Sequence, residues 1–493
     1  MQRTLENLIV TPEEMARIDR DAARSGIDSY RLMEQAGRAV AAAALRKYPQ
    51  ALRFAVLCGP GNNGGDGYVA AAALGEAGAA VAVFSFGDIS RLRGDAARAR
   101  SASGLASASH PLVSYSPMPG DVIIDALFGA GLGRDLPEEV ARLIAQATAL
   151  DLPVVAADLP SGIDGRTGAV RGAAFQAAHT ITFMCRKPGH LLMPGRAHCG
   201  EIDVVDIGIP KRIVAAASGH LRVNGPDVWR LSLPHPGADA HKYRRGHLAV
   251  FSGKAIATGA SRLAAEAGLK AGAGLVSVLA PPEALTANAA HLTAVMLKEV
   301  ADGDGLKELI KDGRLSAFVL GPGFGDLKKA RGFAGMLASR RVVLDADGIT
   351  AFKDGPQRLF EAFSGGEVRL VLTPHDGEFA RLFPDLAADH DLSKVDRARK
   401  AAERSNGVIV LKGADTVVAA PDGRALINEN APPWLATAGA GDVLAGIIGA
   451  HLAQGMPAFE AAAAGVWRHG EAAQQAGSGM TAEDLVRFIR PFR

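Results

Sequence analysis

The stretch Leu435-Ala-Thr-Ala-Gly-Ala-Gly-Asp442-Val-Leu-Ala-Gly446 predicts a glycine-rich turn that opens a helix. The apolar face of that helix recurs at helical spacing and comprises Val443, Leu444, Ile447, Ile448 and Leu452. Ahead of Asp442 the backbone is nearly bare, so several N–H groups can turn toward one anion, which the positive end of the helix also favours. A carboxylate in that place can take a proton from a bound hydroxyl. The alternative is that Asp442 is only a helix N-cap, which is a common role for Asp.

The bulk composition is that of an ordinary globular protein. The chain has 493 residues, of which 48% are hydrophobic and 22% are charged, and its formal net charge is +2. A chain of this length is too long to fold around one hydrophobic core of ordinary size, so we expect at least two domains. Because charges of both signs are interspersed, composition indicates neither a nucleic-acid nor a membrane partner. The sparse cysteines (Cys58, Cys185 and Cys199) and the lack of an apolar leader predict a cytoplasmic protein.

The first half alternates strands with loops, after a helical stretch predicted at residues 12–48. A strand at 54–58 enters Gly59-Pro-Gly-Asn-Asn-Gly-Gly-Asp-Gly67, a helix follows at 68–76, and further strands at 122–125 and 153–158 enter similar loops. Ligands of open α/β sheets bind at the carboxyl ends of strands. We therefore expect Asn63, Asp125 and Ser161 to meet at one edge, where their oxygens suit a hard cation such as K⁺ or Mg²⁺.

The same glycine-rich loop admits two other interpretations. Gly59-Pro-Gly-Asn-Asn-Gly64 matches G-x-G-x-x-G, the fingerprint of dinucleotide-binding dehydrogenases, and Asp88 lies beyond the next strand. We discount this match because a proline and two asparagines crowd the place where bare backbone should approach a pyrophosphate. The loop could also be a tight Asn-Gly turn.

These motifs of the first half resemble the N-terminal domain of the YjeF family, the NAD(P)H-hydrate epimerase, over about residues 10–213. The resemblance rests on the loop Gly59–Gly67, on Asp125 before a Gly-Ala-Gly-Leu-Gly loop, and on Asp158-Leu-Pro-Ser-Gly-Ile-Asp164. It implies that Asn63, Asp125 and Ser161 hold K⁺ and that Asp158 is the acid or base at the hydrated carbon. The residues implied to contact the hydrated nucleotide are Asn62, Asn63, Gly64, Gly65, Asp66, Gly129, Ala130, Gly131, Leu132, Gly133, Arg134, Asp135 and Asp158.

The second half resumes the α/β alternation, with strands predicted at 247–251, 275–279, 317–320, 342–344, 371–373 and 407–411. Lys412-Gly413 at a strand end offers a cation and bare backbone to a nucleotide, although no Walker A sequence occurs. Followed by Asp442, this pair resembles the layout of ribokinase-like kinases, in which that Asp acts as the base. We interpret Asp345 and Asp347 as residues that only shape a strand end, and we leave them out of the site.

Four motifs, in order, resemble the ADP-dependent NAD(P)H-hydrate dehydratase over roughly residues 224–493. They are Gly321-Pro-Gly-Phe-Gly325, Thr373-Pro-His-Asp-Gly-Glu-Phe379, Leu411-Lys-Gly-Ala-Asp-Thr416 and the stretch at Asp442. The resemblance implies that the hydrated dinucleotide contacts Ala260, Gly323, His375 and Asp442. It implies that the adenine nucleotide contacts Lys412, Gly413, Ala414, Asp415, Thr416 and Gly441. The first loop departs from the family pattern, since Ser252-Gly-Lys254 and Thr258 replace Gly-Gly-Ser and an aromatic residue.

We therefore expect an α/β protein with a Rossmann-like three-layer domain, residues 1–217, followed by a ribokinase-like α/β domain, residues 218–493. The resemblance implies a bifunctional isomerase and lyase. It would interconvert the R and S hydrates of NADH or NADPH and dehydrate the S form with ADP or ATP and Mg²⁺. We expect these small molecules as partners, no nucleic acid or membrane, and a homo-oligomer. The alternatives are a ribokinase-type small-molecule kinase in the second half and a non-catalytic binding module in the first.

Overall fold

The computed structural model describes residues 7–104, 109–234 and 242–492. The chain divides into two compact units, Met1–Leu221 and Arg222–Arg493. Among the described residues, no helix is both long enough and apolar enough to cross a membrane. The α/β class predicted for both halves is confirmed, because each unit is built on a mainly parallel sheet with helices packed against it.

The first unit contains a sheet that is parallel throughout its described strands. The strands are β1 (Arg53–Cys58), β2 (Val81–Ser85), β3 (Ser109–Pro111), β4 (Asp121–Ala126), β5 (Val154–Ala157), β6 (His179–Phe183) and β7 (Glu201–Val205). Their spatial order is β3-β2-β1-β4-β5-β6-β7. The central strands are buried apolar runs, which is typical of parallel sheets covered on both faces.

Helices cover both faces of this sheet and make it a Rossmann-like three-layer unit. They are α1 (Pro12–Arg24), α2 (Ser29–Lys47), α3 (Asn62–Glu76), α4 (Gly94–Ala102), α5 (Glu138–Ala149), α6 (Gly195–His198) and α7 (Lys211–Ala217). Alternate residues of β1 face opposite cores: Phe54 and Val56 pack with α1–α4, whereas Ala55 and Leu57 pack with α5.

Two predicted helix boundaries in this unit are wrong. The helical stretch 12–48 is interrupted at Gly26, whose φ of +92° suits glycine, and a new helix starts after the N-cap Asp28. The helix predicted at 68–76 begins at Asn62 instead, so six of the nine residues from Gly59 to Gly67 are helical. Its glycines permit close packing, since an added Cβ on Gly67 would lie 2.7 Å from Ala126 Cβ.

The second unit has a sheet of ten described strands in the order β11-β10-β9-β12-β13-β14-β15-β16-β17-β8. The strands are β8 (Leu221–Val223), β9 (His247–Phe251), β10 (Leu275–Ala280), β11 (Met296–Glu299), β12 (Ala317–Leu320), β13 (Arg341–Leu344), β14 (Leu370–Leu372), β15 (Val408–Leu411), β16 (Val417–Ala419) and β17 (Ala425–Ile427). Strands β9 to β15 pair in parallel, whereas β15, β16 and β17 form an antiparallel meander.

The helices of this ribokinase-like unit surround a central helix, α18. They are α8 (Pro226–Trp229), α9 (Gly259–Lys270), α10 (Leu285–Ala289), α11 (Gly303–Ile310), α12 (Leu327–Met336), α13 (Asp347–Thr350), α14 (Pro356–Ala362), α15 (Asp376–Leu382), α16 (Pro384–Ala388), α17 (Lys394–Ser405), α18 (Ala440–Ala453), α19 (Ala458–Ala476) and α20 (Ala482–Phe488). The helix predicted from the stretch at Asp442 is confirmed as α18. It is apolar nearly all round, because it packs against α9, α19 and the sheet.

Candidate active sites

A cavity of about 780 Å³ opens in the first unit where β1, β4, β5 and β6 end. Because these strands are neighbours in the sheet, the loops that follow them meet there. The predicted site residues that line the cavity are Asn62, Asn63, Asp66, Gly129, Ala130, Gly131, Leu132, Gly133, Arg134 and Asp158. Gly64, Gly65 and Asp135 are not among its lining residues.

Asp125 and Ser161, two of the three predicted K⁺ ligands, are fully buried and in direct contact. The Ser161 hydroxyl donates to Asp125 Oδ1 at 2.6 Å, and the Ser161 amide donates to Asp125 Oδ2 at 2.7 Å. Burial raises the pKa of Asp125 to about 6, and the hydrogen bonds from Ser161 only partly oppose this rise. Among the residues that the structure describes, no cationic side chain contributes to this shift, so a bound cation would be stabilised by this buried carboxylate.

Asn63 lies close to the same group of loops. A Cβ built on Gly129 would lie 3.4 Å from Asn63 Oδ1 and 3.0 Å from Asp158 Oδ2. The Asn63 Nδ2 atom is buried without a hydrogen-bond partner, so its amide is not held by protein groups alone. A donor set of amide, carboxylate and hydroxyl oxygens fits a hard cation such as K⁺. The K⁺ ligands and the substrate contacts of this unit stay predictions.

Asp158 is held at the cavity by four surrounding groups. Its Oδ1 accepts from Lys187 Nζ at 2.5 Å and from Thr182 Oγ1 at 3.0 Å, and its Oδ2 accepts from the Ala130 amide at 3.0 Å. His190 Nε2 donates to the backbone oxygen of Asp158 at 2.7 Å, because the Lys187 amide already occupies His190 Nδ1. Burial by itself would raise the pKa of Asp158, but the Lys187 ammonium, His190 and the Ala130 amide together outweigh burial, and the pKa falls to about 2.

Asp66 and Asp19 also line the cavity, and their pKa values move in the opposite direction. Burial, together with the charges of Asp158 and Asp19, raises the pKa of Asp66 well above its usual range. Burial also raises the pKa of Asp19 to about 6, although Lys187 opposes the shift. The cavity therefore places a carboxyl group with a lowered pKa beside two carboxyl groups with raised pKa values, an arrangement suited to both accepting and donating protons.

In the second unit, Asp442 is the third residue of α18 rather than its N-cap. The N-cap is Gly439, whose φ of +85° requires glycine and which offers no side-chain cap. Within the described residues, no hydrogen bond reaches the Asp442 carboxylate, so it is available to a ligand. Burial, reinforced by the negative charge of Asp345, raises the pKa of Asp442 to about 6, and Lys412 opposes this shift.

Lys412 lies beside the start of α18. Its Nζ donates to Asp345 Oδ1 at 2.8 Å and lies 3.8 Å from Glu378 Oε2. A Cβ built on Gly441 would be 3.5 Å from Lys412 Nζ and 3.7 Å from Asp345 Oδ2. The structure therefore brings the predicted residues Lys412, Gly441 and Asp442 together, with a carboxylate among them that the sequence analysis left out.

His375 and Glu378 form the start of α15. The His375 amide donates to Glu378 Oε2 at 2.9 Å, and His375 Nδ1 accepts from the Gly377 amide at 3.0 Å. The imidazole is more than half exposed, whereas Glu378 is buried next to Lys412. His375 is therefore accessible to a ligand that approaches Lys412.

The loop from Lys412 to Thr416 is closed on itself by two hydrogen bonds. The Gly413 amide donates to Thr416 Oγ1 at 3.2 Å, and that hydroxyl donates to the Gly413 carbonyl at 2.8 Å. Lys394 from α17 supports the loop by donating to Asp415 Oδ1 at 2.5 Å and to the Lys412 carbonyl at 3.3 Å. Gly413 and Ala414 are exposed, so a nucleotide can reach the surface of this loop.

Ala260 and Gly323 face each other, since a Cβ built on Gly323 would lie 3.1 Å from Ala260 Cβ. In the loop that departs from the family pattern, Ser252 is buried and accepts from Ser261 Oγ at 3.1 Å, whereas Lys254 is exposed. Ser252, one of the residues that differ from the family pattern, thus forms part of the buried hydrogen-bonded structure of this loop. The ligand contacts of Ala260, Gly323, His375 and the 412–416 loop stay predictions.

Comparison with known proteins covers both units. The family profile described as YjeF-related protein N-terminus matches residues 29–189, and the one described as NAD(P)H-hydrate dehydratase matches residues 248–490. Proteins named bifunctional NAD(P)H-hydrate repair enzyme Nnr match nearly the whole chain. The Coxiella burnetii protein is 34% identical over 97% of both chains, and the Moorella thermoacetica protein is 36% identical over 98% of this chain and 96% of its own.

The chain belongs to the bifunctional NAD(P)H-hydrate repair enzyme family. Solved structures similar to this family member include a ribokinase-like superfamily protein from Enterococcus faecalis, 22% identical with a TM-score of 0.47, covering 55% of this chain and 98% of its own. Another is the ADP/ATP-dependent NAD(P)H-hydrate dehydratase from Bacillus subtilis co-crystallized with ATP/Mg²⁺, 24% identical with a TM-score of 0.47, covering 54% of this chain and 95% of its own.

In this member of the NAD(P)H-hydrate repair enzyme family, the sequence analysis missed residues at both sites. Asp345 could have been found from the sequence, because it directly follows β13, and the carboxyl ends of parallel strands are where ligands bind. Lys187 follows β6, so the same strand-end rule also pointed to it. Asp19 and Lys394 gave no such signal, since each lies on a helix that is distant in sequence from the loops it contacts.

Proposed function

We propose that this protein repairs nicotinamide nucleotides in two reactions. One interconverts the R and S hydrates of NADH and NADPH, and the other dehydrates the S form at the expense of ADP or ATP. The observation that carries the proposal is the similarity of the whole chain, both halves together, to bifunctional NAD(P)H-hydrate repair enzymes. That similarity also favours this function over a small-molecule kinase fused to a non-catalytic module.

Each reaction is assigned to one unit. We place the epimerase in residues 1–217 and the dehydratase in residues 218–493, which is supported by the order of the two matching family profiles. In the first unit, Asp158 would act at the hydrated carbon. K⁺ held by Asn63, Asp125 and Ser161 would supply a fixed positive charge near the ligand. The buried Asp125 carboxylate, whose pKa is influenced by no cationic side chain within the described residues, supports that cation site.

In the second unit, Asp442 would take the proton of the ring hydroxyl as the hydroxyl oxygen attacks the terminal phosphoryl group of the nucleotide. The P–O bond to the nucleotide breaks, so ADP leaves as AMP. The amides of Gly439 to Gly441 and the Lys412 ammonium would stabilise the charge that develops on the phosphoryl oxygens. Phosphate then leaves the ring carbon, the neighbouring carbon loses a proton, and the dihydronicotinamide double bond is restored.

Mg²⁺ would accompany the nucleotide in this unit and neutralise its phosphate charge. Within the described residues, no cluster of three His, Cys, Asp or Glu side chains is arranged to hold a metal. The donors that fit are therefore the phosphate oxygens themselves and Glu378, whose buried carboxylate is an oxygen ligand suited to a hard cation. The chain's own contribution is to orient the phosphates through Lys412 and the start of α18.

The test is to incubate the purified protein with S-NADH hydrate, ADP and Mg²⁺ and to follow the near-ultraviolet absorbance of the dihydronicotinamide. We expect recovery of that absorbance, and we expect Asp442→Asn to lower the rate at least about 100-fold because the base is lost. A folded protein that binds nucleotide yet restores no absorbance would contradict the dehydratase and favour the kinase alternative.

A further inference from the structure

Lys187 is a buried lysine on the wall of the cavity in the first unit. It follows β6, is only 2% exposed, and is one of the residues that line the cavity. A lysine this deeply buried is rare unless its charge is paired, because desolvation of an ammonium is costly. Here the pairing is with Asp158, at 2.5 Å.

Two of the three N–H donors of the Lys187 ammonium are used in hydrogen bonds to the described residues. An ammonium carries three N–H donors. One goes to Asp158 Oδ1 and one to Thr182 Oγ1 at 2.9 Å, and these are its side-chain acceptors within the described part of the chain. Since the side chain also lines the cavity, the third N–H is available to a bound ligand.

The surroundings hold this pair in one geometry. The Lys187 amide donates to His190 Nδ1 at 2.9 Å, and His190 Nε2 donates to the Asp158 carbonyl at 2.7 Å. Asp158 has a φ of +63°, a left-handed conformation that is uncommon for non-glycine residues although Asp adopts it more readily than most. The ammonium and carboxylate are thus fixed before any ligand arrives.

We propose that Lys187 is a second catalytic residue of the epimerase cavity, which donates its free N–H to the ring hydroxyl of the hydrated nicotinamide while Asp158 remains its carboxylate partner. The inference rests on the epimerase function proposed above and assigns a group within it. The other ionisable groups that line the cavity are Asp19 from α1, Asp66 from α3, Asp95 from α4 and Arg134. None of them forms an ion pair with Lys187 within the described residues.

The chemistry follows from the substrate. Water adds to an enamine so that the hydroxyl stands on the carbon bonded to nitrogen, and such a carbon can lose its hydroxyl again. The C–O bond breaks as Lys187 gives a proton to the departing oxygen, and the ring nitrogen lone pair forms a C=N bond. The adjacent Asp158 carboxylate stabilises the resulting cation. Water then adds to the opposite face and loses a proton to solvent, and the Lys187 amine regains a proton from solvent, so the step is balanced and needs no oxidant.

The experiment uses the full chain without ADP, so that no dehydration competes. Pure S-NADH hydrate is added, and the appearance of the R form is followed by chromatography. We expect Lys187→Met to lower kcat at least about 100-fold with little change in KM, because the lost donor acts on the departing hydroxyl. Lys187→Arg keeps a cation with N–H donors and should recover part of the rate. In Lys187→Ala, added propylammonium should raise the rate.

The matched control is Lys47→Met. Lys47 also pairs with a carboxylate in this unit, Glu201 at 2.6 Å, but it does not line the cavity. We expect its epimerisation rate to stay close to that of the wild type. A Lys187→Met variant with wild-type kcat would overturn the inference. So would equal inactivity of the Met and Arg variants together with no rescue by propylammonium, since that pattern marks a structural role. Absence of epimerisation in the wild type would instead refute the proposed function.

Discussion

At the scale of single residues, Asp158 and Asp442 illustrate how surroundings determine the chemistry of one side-chain type. Both are largely buried, which by itself raises the pKa of a carboxyl. Asp158 has an ammonium 2.5 Å away, so its pKa falls to about 2. For Asp442, burial and, after it, the negative charge of the neighbouring Asp345 raise the pKa to about 6. Asp442 is thus matched to accepting a proton near neutral pH, whereas Asp158 remains ionised.

This difference predicts the pH dependence of dehydration. Asp442 must be ionised to accept a proton, so the rate should fall as the pH drops through about 6. Asp345→Asn removes the charge that helps to raise the pKa of Asp442, and it frees Lys412 to lower that pKa further. The acidic limb of the kcat profile should therefore move to lower pH. The profile is measured with S-NADH hydrate and saturating ADP, and a limb that stays in place or moves upward would contradict this assignment.

At the scale of elements, α18 owes its central position to small residues. An added Cβ on Gly446 would collide with the Ala264 carbonyl of α9, and one on Gly449 would lie 2.6 Å from Val319 of β12. Glycine at these positions lets the helix approach its neighbours closely. The same approach brings Gly439, Gly441 and Asp442 to the strand ends that carry Asp345 and Lys412.

Gly446→Ala should therefore destabilise the second unit, by about 1–3 kcal/mol, because the extra methyl group forces α9 and α18 apart. The control is Gly332→Ala in α12, where a Cβ would meet no atom within 4 Å. That change should be neutral or should stabilise by about 0.5–1 kcal/mol, since alanine favours a helix over glycine. Thermal unfolding monitored by circular dichroism measures both effects. Equal stabilities of the two variants would refute the packing argument.

At the scale of the whole molecule, each unit has its own sheet and its own buried core. The residues proposed for each reaction also come from one unit only. We therefore expect the two activities to be lost separately when the chemistry of one site is removed.

The prediction is tested with R-NADH hydrate and ADP, a mixture that requires both reactions. Asp158→Asn should retain dehydration of the S form, and Asp442→Asn should retain epimerisation. Either variant alone should convert the R form at least about 100-fold more slowly than the wild type. A mixture of the two variants should restore conversion, because the S product of one diffuses to the other. Loss of both activities in either variant would contradict the separation.

Patterns along the chain were enough to predict the α/β class, the helix at residues 443–452 and the strand ends that carry Asn63, Asp125, Ser161 and Lys412. These features are local, because they depend on hydrophobic spacing and on which residue follows a strand. Local pattern also explains the two wrong boundaries. The apolar pattern of the first helix continues past the turn at Gly26, so the break there was not predicted. The glycines at the start of α3 indicated a loop, but in the structure they allow a helix to pack closely.

Which residues at the strand ends form ion pairs with one another is visible only in the three-dimensional structure. Asp345 and Lys412 follow β13 and β15, and Asp158 and Lys187 follow β5 and β6. Asp158 and Lys187 meet because β5 and β6 are neighbours in the sheet. Asp345 and Lys412 meet although β14 lies between β13 and β15. The strand order arises from long-range packing, which no spacing along the chain encodes. The protonation of Asp158, Asp66 and Asp442 depends on the same packing, because a pKa responds to neighbours in space rather than in sequence.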